Sequence, residues 1–110
     1  MFVLLDWGLG GYAEQVAVPA AFCVTKPSRL NLVESAAVLL AAMTAKQGLF
    51  DHEQLKQGQP VLIHAGSGGV GQFAVQFAKV RGAAVFATAS ADNLEFVSSP
   101  GADLVIDYQS

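Results

Sequence analysis

The segment from Val61 to Gly82 constrains the fold of this 110-residue chain more than any other part of its sequence. It starts with the apolar run Val61–Ala65, continues through the glycine-rich hexapeptide Gly66–Gly71 and ends in an amphipathic stretch that stops at Gly82. An apolar run, a glycine turn and helical periodicity in this order predict a buried β-strand that leads directly into an α-helix.

The glycines have the Gly-x-Gly-x-x-Gly spacing of a dinucleotide-binding turn. In this pattern Gly66 turns the chain off the strand, Gly68 lets a pyrophosphate approach the backbone, and Gly71 lets the helix pack closely. The first N–H groups of the helix would then face the phosphates. An ATP-type P-loop is disfavoured because Gln72 and Phe73 stand where Lys and Ser or Thr are needed. A glycine turn without a ligand is the alternative.

The residues after the turn repeat with the spacing of one apolar helix face. This pattern predicts a helix that begins near Gly69 or Val70 and is stopped by Gly82. The predicted core positions of this helix are Val70, Phe73, Ala74, Phe77 and Ala78.

Two more strands follow this helix. Ala83–Ala89 predicts the second strand, Ser90–Ser99 a weaker helix and Asp103–Ile106 the third strand. The order β-α-β-α-β with short loops predicts an α/β fold, specifically the Rossmann-type half of a doubly wound parallel sheet.

The part of the chain before the glycine turn has two different patterns. Phe2–Leu5 and Tyr12–Val18 predict short strands joined by the turn Gly8–Gly11. Asn31, followed three residues later by Glu34, predicts a capping box that opens a helix.

That helix is predicted to run to about Phe50. The turn Lys56–Pro60 then leads into the Val61 strand, and Gly58 is a plausible left-handed residue within it. A boundary between structural elements is expected at this turn.

Composition excludes several classes of protein. The chain is 53% hydrophobic and 14% charged, as expected for a buried α/β core, and its net charge of -3 argues against a nucleic-acid partner. Its single cysteine, Cys23, excludes an internal disulfide and multi-thiolate zinc sites, and a small buried residue is the expected role. The longest apolar stretch, Ala36–Ala45, is too short to span a bilayer, and no secretory signal is visible. These features predict a cytoplasmic protein without a membrane partner.

The end of the second predicted strand bears on cofactor choice. An NAD-preferring site carries an acidic residue there for the ribose 2′-hydroxyl, whereas this chain has Ser90 after Ala87–Ala89. A small hydroxyl residue leaves room for a 2′-phosphate and favours NADP (NADPH) over NAD. Asp92 would favour NAD, but it lies slightly too far along the chain and is better explained as a first-turn residue of the next helix. No Lys or Arg stands between Ala87 and Leu94.

Four ordered motifs together resemble the medium-chain dehydrogenase/reductase superfamily, in particular its zinc-independent quinone oxidoreductase-like (NADPH:quinone reductase) branch. The motifs are Gly10–Val16, Ala36–Ala45, Val61–Gly71 and Gly101–Tyr108. The resemblance implies an NAD(P)H-dependent oxidoreductase that transfers hydride from the nicotinamide to a quinone or activated carbonyl substrate, with no zinc.

The resemblance also implies where the cofactor lies. It puts Ser90 at the adenosine ribose or its phosphate and Thr44 near the nicotinamide ribose, although Thr44 could equally bond its own helix backbone. No catalytic residue or metal ligand is assigned; His64 is expected on the first strand as a core or near-core residue and His52 in a solvated turn. The residues implied at the pyrophosphate turn are Gly66, Ser67, Gly68, Gly69, Val70 and Gly71.

The resemblance further implies the domain organisation. Residues 1–30 correspond to the C-terminal remnant of a GroES-like β domain, 31–58 to a linking helix and turn, and 59–110 to the first half of a Rossmann dinucleotide-binding domain. Because the chains of the family are longer, a partial chain is expected, which leaves its catalytic activity open. The alternatives are a non-catalytic dinucleotide-binding module and a truncated inactive product, and a homodimer is possible.

Overall fold

The computed structural model describes residues 1–5 and 10–110. These residues form two compact units, Met1–Leu40 and Ala41–Ser110. The glycine turn and the strands around it lie in the second unit, so this unit contains the fold that the sequence predicts most strongly.

The first unit has little regular structure before its helix. Phe2 and Val24 form an isolated antiparallel bridge with N···O distances of 2.8 and 3.0 Å, and one turn of 3-10 helix spans Ala20–Phe22. The predicted strand at Phe2–Leu5 is therefore reduced to one bridged residue, and the predicted strand at Tyr12–Val18 is wrong.

The physical reason is the lack of a surface for those side chains to cover. Tyr12 is fully exposed and Val16 is 45% exposed, so the alternating pattern buries little apolar area in this unit. A strand also needs a neighbour for its backbone N–H and C=O groups. Gly8 and Leu9 of the predicted turn Gly8–Gly11 lie outside the described residues.

The predicted capping box is confirmed. Asn31 N–H donates to Glu34 Oε2 and Glu34 N–H donates to Asn31 Oδ1, both at 2.8 Å. Helix α1 (Leu32–Lys46) begins at this cap and continues as a stretch of π-helix, Gln47–His52. The reciprocal bonds satisfy two N–H groups that the helix itself leaves unpaired.

The apolar part of this helical segment is longer than the sequence pattern suggested. Leu32–His52 has 21 residues and a mean hydropathy of 1.2 in its most apolar window, which makes it long and apolar enough to cross a membrane by length and composition alone. A core helix of a soluble protein and a signal sequence also meet this criterion; 17% of the window is buried, and Ala45 and Leu49 of the segment belong to the buried core of the second unit.

The second unit contains a three-stranded parallel sheet. Its strands β1 (Pro60–Ile63), β2 (Ala84–Ala89) and β3 (Leu104–Asp107) lie side by side in the order β1-β2-β3. Helix α2 (Gly69–Val80) connects β1 to β2. A 3-10 turn and the short helix α3 (Leu94–Ser98) connect β2 to β3. The predicted β-α-β-α-β half of a doubly wound sheet is confirmed.

One face of this sheet forms the core. Strand β2 alternates between buried and half-buried residues, and Val85, Ala87 and Ala89 on its buried face are fully enclosed. Val75 of α2 and Val97 of α3 are also enclosed and belong to the same core cluster. On the opposite face the apolar side chains are open: Leu62, Leu104 and Ile106 are 44–52% exposed.

Three buried positions predicted from the sequence are corrected. Val70 is 41% exposed because it lies in the first turn of α2, and the fully enclosed valine of the helix is Val75. Strand β1 ends at Ile63, so His64 lies beyond the strand and is exposed. Cys23 is a half-buried free thiol.

Two glycines of the second unit adopt positive backbone φ angles, one in the turn before β1 and one after α2. Gly58, before β1, has a φ of 78° and Gly82, after α2, has a φ of 81°. Glycine adopts these angles without steric cost. Both predicted turn positions are confirmed.

Asp103, directly before β3, bonds to β2 and to α2. Its Oδ2 accepts the Val85 N–H at 2.7 Å, its Oδ1 pairs with Lys79 Nζ, and its own N–H donates to Val85 O at 2.8 Å. The hydrogen bond from Lys79 and then that from Val85 N–H hold the pKa of the Asp103 carboxyl below its ordinary value of 3.8.

We therefore expect Asp103 to contribute to the acid sensitivity of the second unit. A depressed folded-state pKa gives stability that is present above the unfolded value of 3.8 and is lost as the pH falls through the folded value. Urea unfolding followed at neutral pH and below pH 3.8 should show a smaller loss of stability in Asp103→Asn than in the wild type. Equal losses in the two proteins would contradict the assignment, and Asp92→Asn serves as the matched control for removal of one exposed acid.

Candidate functional site

The chain reverses direction sharply between β1 and α2. Ala65, directly before the first glycine, has a φ of 54°, which is unusual for a residue with a Cβ. Gly68 N–H donates to Ala65 O at 2.9 Å and closes the turn. Gly68 is the N-cap of α2, with extended backbone angles of φ -72° and ψ 166°.

The close packing of the turn explains the glycine at position 71. A Cβ at Gly71 would lie 2.1 Å from Ala65 O and 2.9 Å from Gly66 Cα, so only glycine fits against this backbone. The sequence assigned Gly71 to close packing of the helix, and the observed contacts agree with that role.

Gly66 has a different role from the one expected. The residue that turns the chain is Ala65, since Gly66 is not among the residues of positive φ. A Cβ at Gly66 would lie 2.7 Å from Val97 Cγ1 and 3.1 Å from Ala87 Cβ. Gly66 is buried, and its missing side chain lets the turn pack against the core.

The outer side of the turn is open. Gly68, Gly69 and Val70 are exposed, and Ser67 is half-buried. The first hydrogen bond of the helix runs from Gln72 N–H to Gly68 O and is 3.0 Å long. The N–H groups of the first helical turn come before this bond in the chain and have no acceptor within the helix. Together with the positive end of the helix dipole, these groups fit a diphosphate.

Ser90 lies at the same edge of the sheet as the turn, because β1 and β2 are parallel and it directly follows β2. Its side chain is half-buried, and its Oγ accepts a hydrogen bond from Asn93 Nδ2 at 2.8 Å. Asp92 is exposed in the 3-10 turn that follows. The edge therefore brings the glycine turn and Ser90 together, with a carboxylate close to Ser90 in the chain.

Thr44 and His52 lie outside the glycine turn and the strand ends described above. Thr44 is exposed on α1, next to the buried Ala45, and its role at a nicotinamide ribose stays a prediction. His52 is exposed at the end of the π-helical stretch. Within residues 1–5 and 10–110, no group of three or more His, Cys, Asp and Glu side chains is arranged to hold a metal ion.

The sequence patterns did not identify two residues of the site, Ala65 and Thr88. Ala65 carries the left-handed conformation, and Thr88 of β2 accepts the Ala65 N–H with its hydroxyl at 3.1 Å. The signal that could have found Thr88 is its position as the one hydroxyl residue within the apolar strand Ala84–Ala89. Nothing in the composition around Ala65 indicates a positive φ.

No protein-family model matches the chain. It is 42% identical over 113 residues to a chloroplast envelope quinone oxidoreductase homolog of Arabidopsis thaliana, an alignment that covers 98% of this chain and 34% of that protein. It is 44% identical over 101 residues to an NADPH-dependent alkenal/one oxidoreductase, chloroplastic, of the same plant, covering 90% of this chain and 26% of the relative.

A solved structure shares the fold at similar identity. The crystal structure of an alcohol dehydrogenase superfamily protein from Novosphingobium aromaticivorans matches with a TM-score of 0.82 and 43% identity, over 86% of this chain and 28% of that one. The chain thus spans about a third or less of the length of these proteins. The matched sequences and the shared fold show that the chain corresponds to part of a medium-chain dehydrogenase/reductase superfamily protein, homologous to quinone oxidoreductases.

Proposed function

We propose that this chain forms the dinucleotide-binding part of an NAD(P)H-dependent oxidoreductase that reduces a quinone or another activated carbonyl compound. The observation that carries the proposal is the turn between β1 and α2, where Gly71 fills a space that no other residue fits and Gly68 leaves the helix N-terminus open. The names of the relatives support the substrate class and the choice of NADPH.

In this proposal each group of residues binds a different part of the dinucleotide. The first-turn N–H groups of α2 bind the diphosphate, with Gly66 and Gly71 permitting the close packing behind it. Ser90 lies at the adenosine ribose or its 2′-phosphate, and Thr44 lies towards the nicotinamide ribose. The bound nicotinamide would supply the hydride, and the protein would supply orientation and electrostatic stabilisation.

Several finer points belong to the proposal as well. We propose the domain limits 1–30, 31–58 and 59–110, a small-molecule substrate, a catalytic mechanism without zinc, and NADPH as the preferred cofactor. The cytoplasmic location predicted from the sequence stays a prediction, since the names of both Arabidopsis thaliana relatives refer to the chloroplast.

The test is a parallel titration of the purified chain with NADPH and NADH, followed by nicotinamide fluorescence. We expect saturable binding of both, with NADPH tighter. Gly68→Val places a branched side chain where the diphosphate must approach and should weaken binding at least about 10-fold, the equivalent of one lost charge-assisted hydrogen bond or more. Gly10→Val is the matched control, because it makes the same change outside the turn, where a Cβ meets nothing within 4 Å.

The outcomes separate the alternatives. Tighter binding of NADH would indicate that the carboxylate of Asp92, and not Ser90, determines the cofactor preference. Saturable binding without reduction of quinones or enones would favour the non-catalytic dinucleotide-binding module. Absence of binding in the folded wild-type chain would contradict the proposal that this segment holds the cofactor.

A further inference from the structure

Thr88 contacts the glycine turn through two acceptors. Its side-chain Oγ1 accepts the Ala65 N–H at 3.1 Å, and its backbone carbonyl accepts the Gly66 N–H at 2.8 Å. Thr88 lies on β2, the neighbouring strand, and is half-buried. Two successive N–H groups of the turn are thus held by one residue that is distant in sequence.

The first of these N–H groups belongs to the residue that most needs support. Ala65 has a φ of 54°, in the left-handed region that disfavours residues with a Cβ. Such a conformation persists when surrounding contacts hold it. The ladder between β1 and β2 ends with the pair Ile63↔Ala87, so the Thr88 hydroxyl supplies a hydrogen bond beyond the end of the regular pairing.

The orientation of Ala65 also determines where the open part of the turn lies. Its carbonyl accepts the Gly68 N–H at 2.9 Å, and this same oxygen is the atom that a Cβ at Gly71 would meet. A rotation of the Ala65 peptide would therefore displace both Gly68 and the first turn of α2. In the proposed function the N–H groups of this first turn bind the diphosphate, so the Ala65 conformation affects their position.

His64 extends the same set of contacts. Its Nδ1 lies 3.4 Å from Thr88 Oγ1. The hydroxyl can accept the Ala65 N–H and also exchange a hydrogen bond with Nδ1, as donor or as acceptor according to the histidine tautomer.

We propose that Thr88 is a positioning residue for the phosphate-binding turn, one that acts by holding Ala65 in its left-handed conformation. The inference rests on the proposed function for its effect on the cofactor. The hydrogen bond to Ala65 can be tested without any cofactor.

The experiment compares Thr88→Val, which removes the hydroxyl and keeps the branched shape, with Thr88→Ser, which keeps the hydroxyl. Two quantities are measured: the hydrogen-exchange rate of the Ala65 amide in the free chain and the Kd for NADPH. We expect Thr88→Val to accelerate exchange at Ala65 and to raise the Kd by about 3- to 10-fold each, as for the loss of one hydrogen bond. Thr88→Ser should stay within about twofold of the wild type in both, and exchange at Val75 in α2 should be unchanged throughout.

A third variant separates positioning from general stability. Ala65→Gly in the Thr88→Val background removes the steric cost of the positive φ, so it should restore much of the NADPH affinity without restoring the hydrogen bond. A general loss of stability in β2 would not be rescued by a change at Ala65.

The inference is overturned if Thr88→Val leaves exchange at Ala65 unchanged, if it accelerates exchange without altering the Kd, or if Thr88→Ser behaves like Thr88→Val. If the wild-type chain binds no NADPH, the proposed function fails, and the exchange rate at Ala65 alone decides whether Thr88 holds the turn.

Discussion

Replacing Gly71 with Ala is expected to unfold most of the unit Ala41–Ser110 and to abolish its dinucleotide binding. The new Cβ would lie 2.1 Å from Ala65 O, 2.9 Å from Gly66 Cα and 3.0 Å from Ala65 C. All three are backbone atoms, so no side-chain rotation can relieve the contact. Overpacking of this kind costs about 3 kcal/mol or more, a large fraction of the roughly 5 kcal/mol that stabilises a small domain.

Gly69→Ala provides the matched control two positions earlier in the same helix. A Cβ there meets nothing within 4 Å, and alanine favours a helix over glycine by up to about 1 kcal/mol. Urea unfolding followed by circular dichroism should therefore show a normal or raised midpoint for Gly69→Ala and a greatly lowered one for Gly71→Ala. Similar midpoints in the two variants would contradict the packing described for the turn.

Val75→Ala is expected to produce the second large effect, a loss of about 2–3 kcal/mol in the free energy of unfolding. Val75 is 0% exposed on α2 and belongs to the core cluster with Val85 and Val97. Truncation removes buried methyl groups and leaves a cavity, because the enclosing strand and helix can relax only in part.

Val80→Ala makes the same chemical change at the end of the same helix. Val80 is 88% exposed, so little transfer energy is lost, and the better helix propensity of alanine favours the variant by a few tenths of a kcal/mol, on the order of 0.5. Denaturant titrations of both variants measure the difference directly. A cost at Val80 equal to that at Val75 would show that α2 packs by a different face.

The elements that the sequence predicted well are those with local causes. The cap formed by Asn31 and Glu34, the positive φ of Gly58 and Gly82, and the strand-turn-helix order each depend on residues close together in the chain. Strand β2 was placed within one residue because its ends are marked by a glycine and a serine.

The errors have non-local causes. Tyr12–Val18 has a strand pattern, but strand formation depends on a neighbouring strand that the pattern does not contain. Val70 fits the apolar helix spacing, yet its place in the first turn of α2 leaves it 41% exposed. Helical spacing alone does not distinguish a position at the end of the buried face from one in its middle, such as Val75.

The candidate site divides in the same way. The glycines of the turn were identified from their spacing, and the structure gives a packing reason for Gly66 and Gly71. Ala65 and Thr88 were missed because a left-handed alanine and a bond between adjacent strands depend on how the sheet aligns. Register is a tertiary property, and no pattern within one strand specifies its partner.

The parallel arrangement of the three strands has a consequence for the order of folding events. Each strand pairing joins residues that are separated by an entire helix, as in Pro60↔Ala84 and Phe86↔Leu104. The sheet has no hairpin that could serve as a fast nucleus, and the loop-closure entropy of each crossover must be overcome before its contacts form. The glycine turn is held by hydrogen bonds to Thr88, so a chain emerging during synthesis can form its phosphate site only after β2 has been made and has docked against β1.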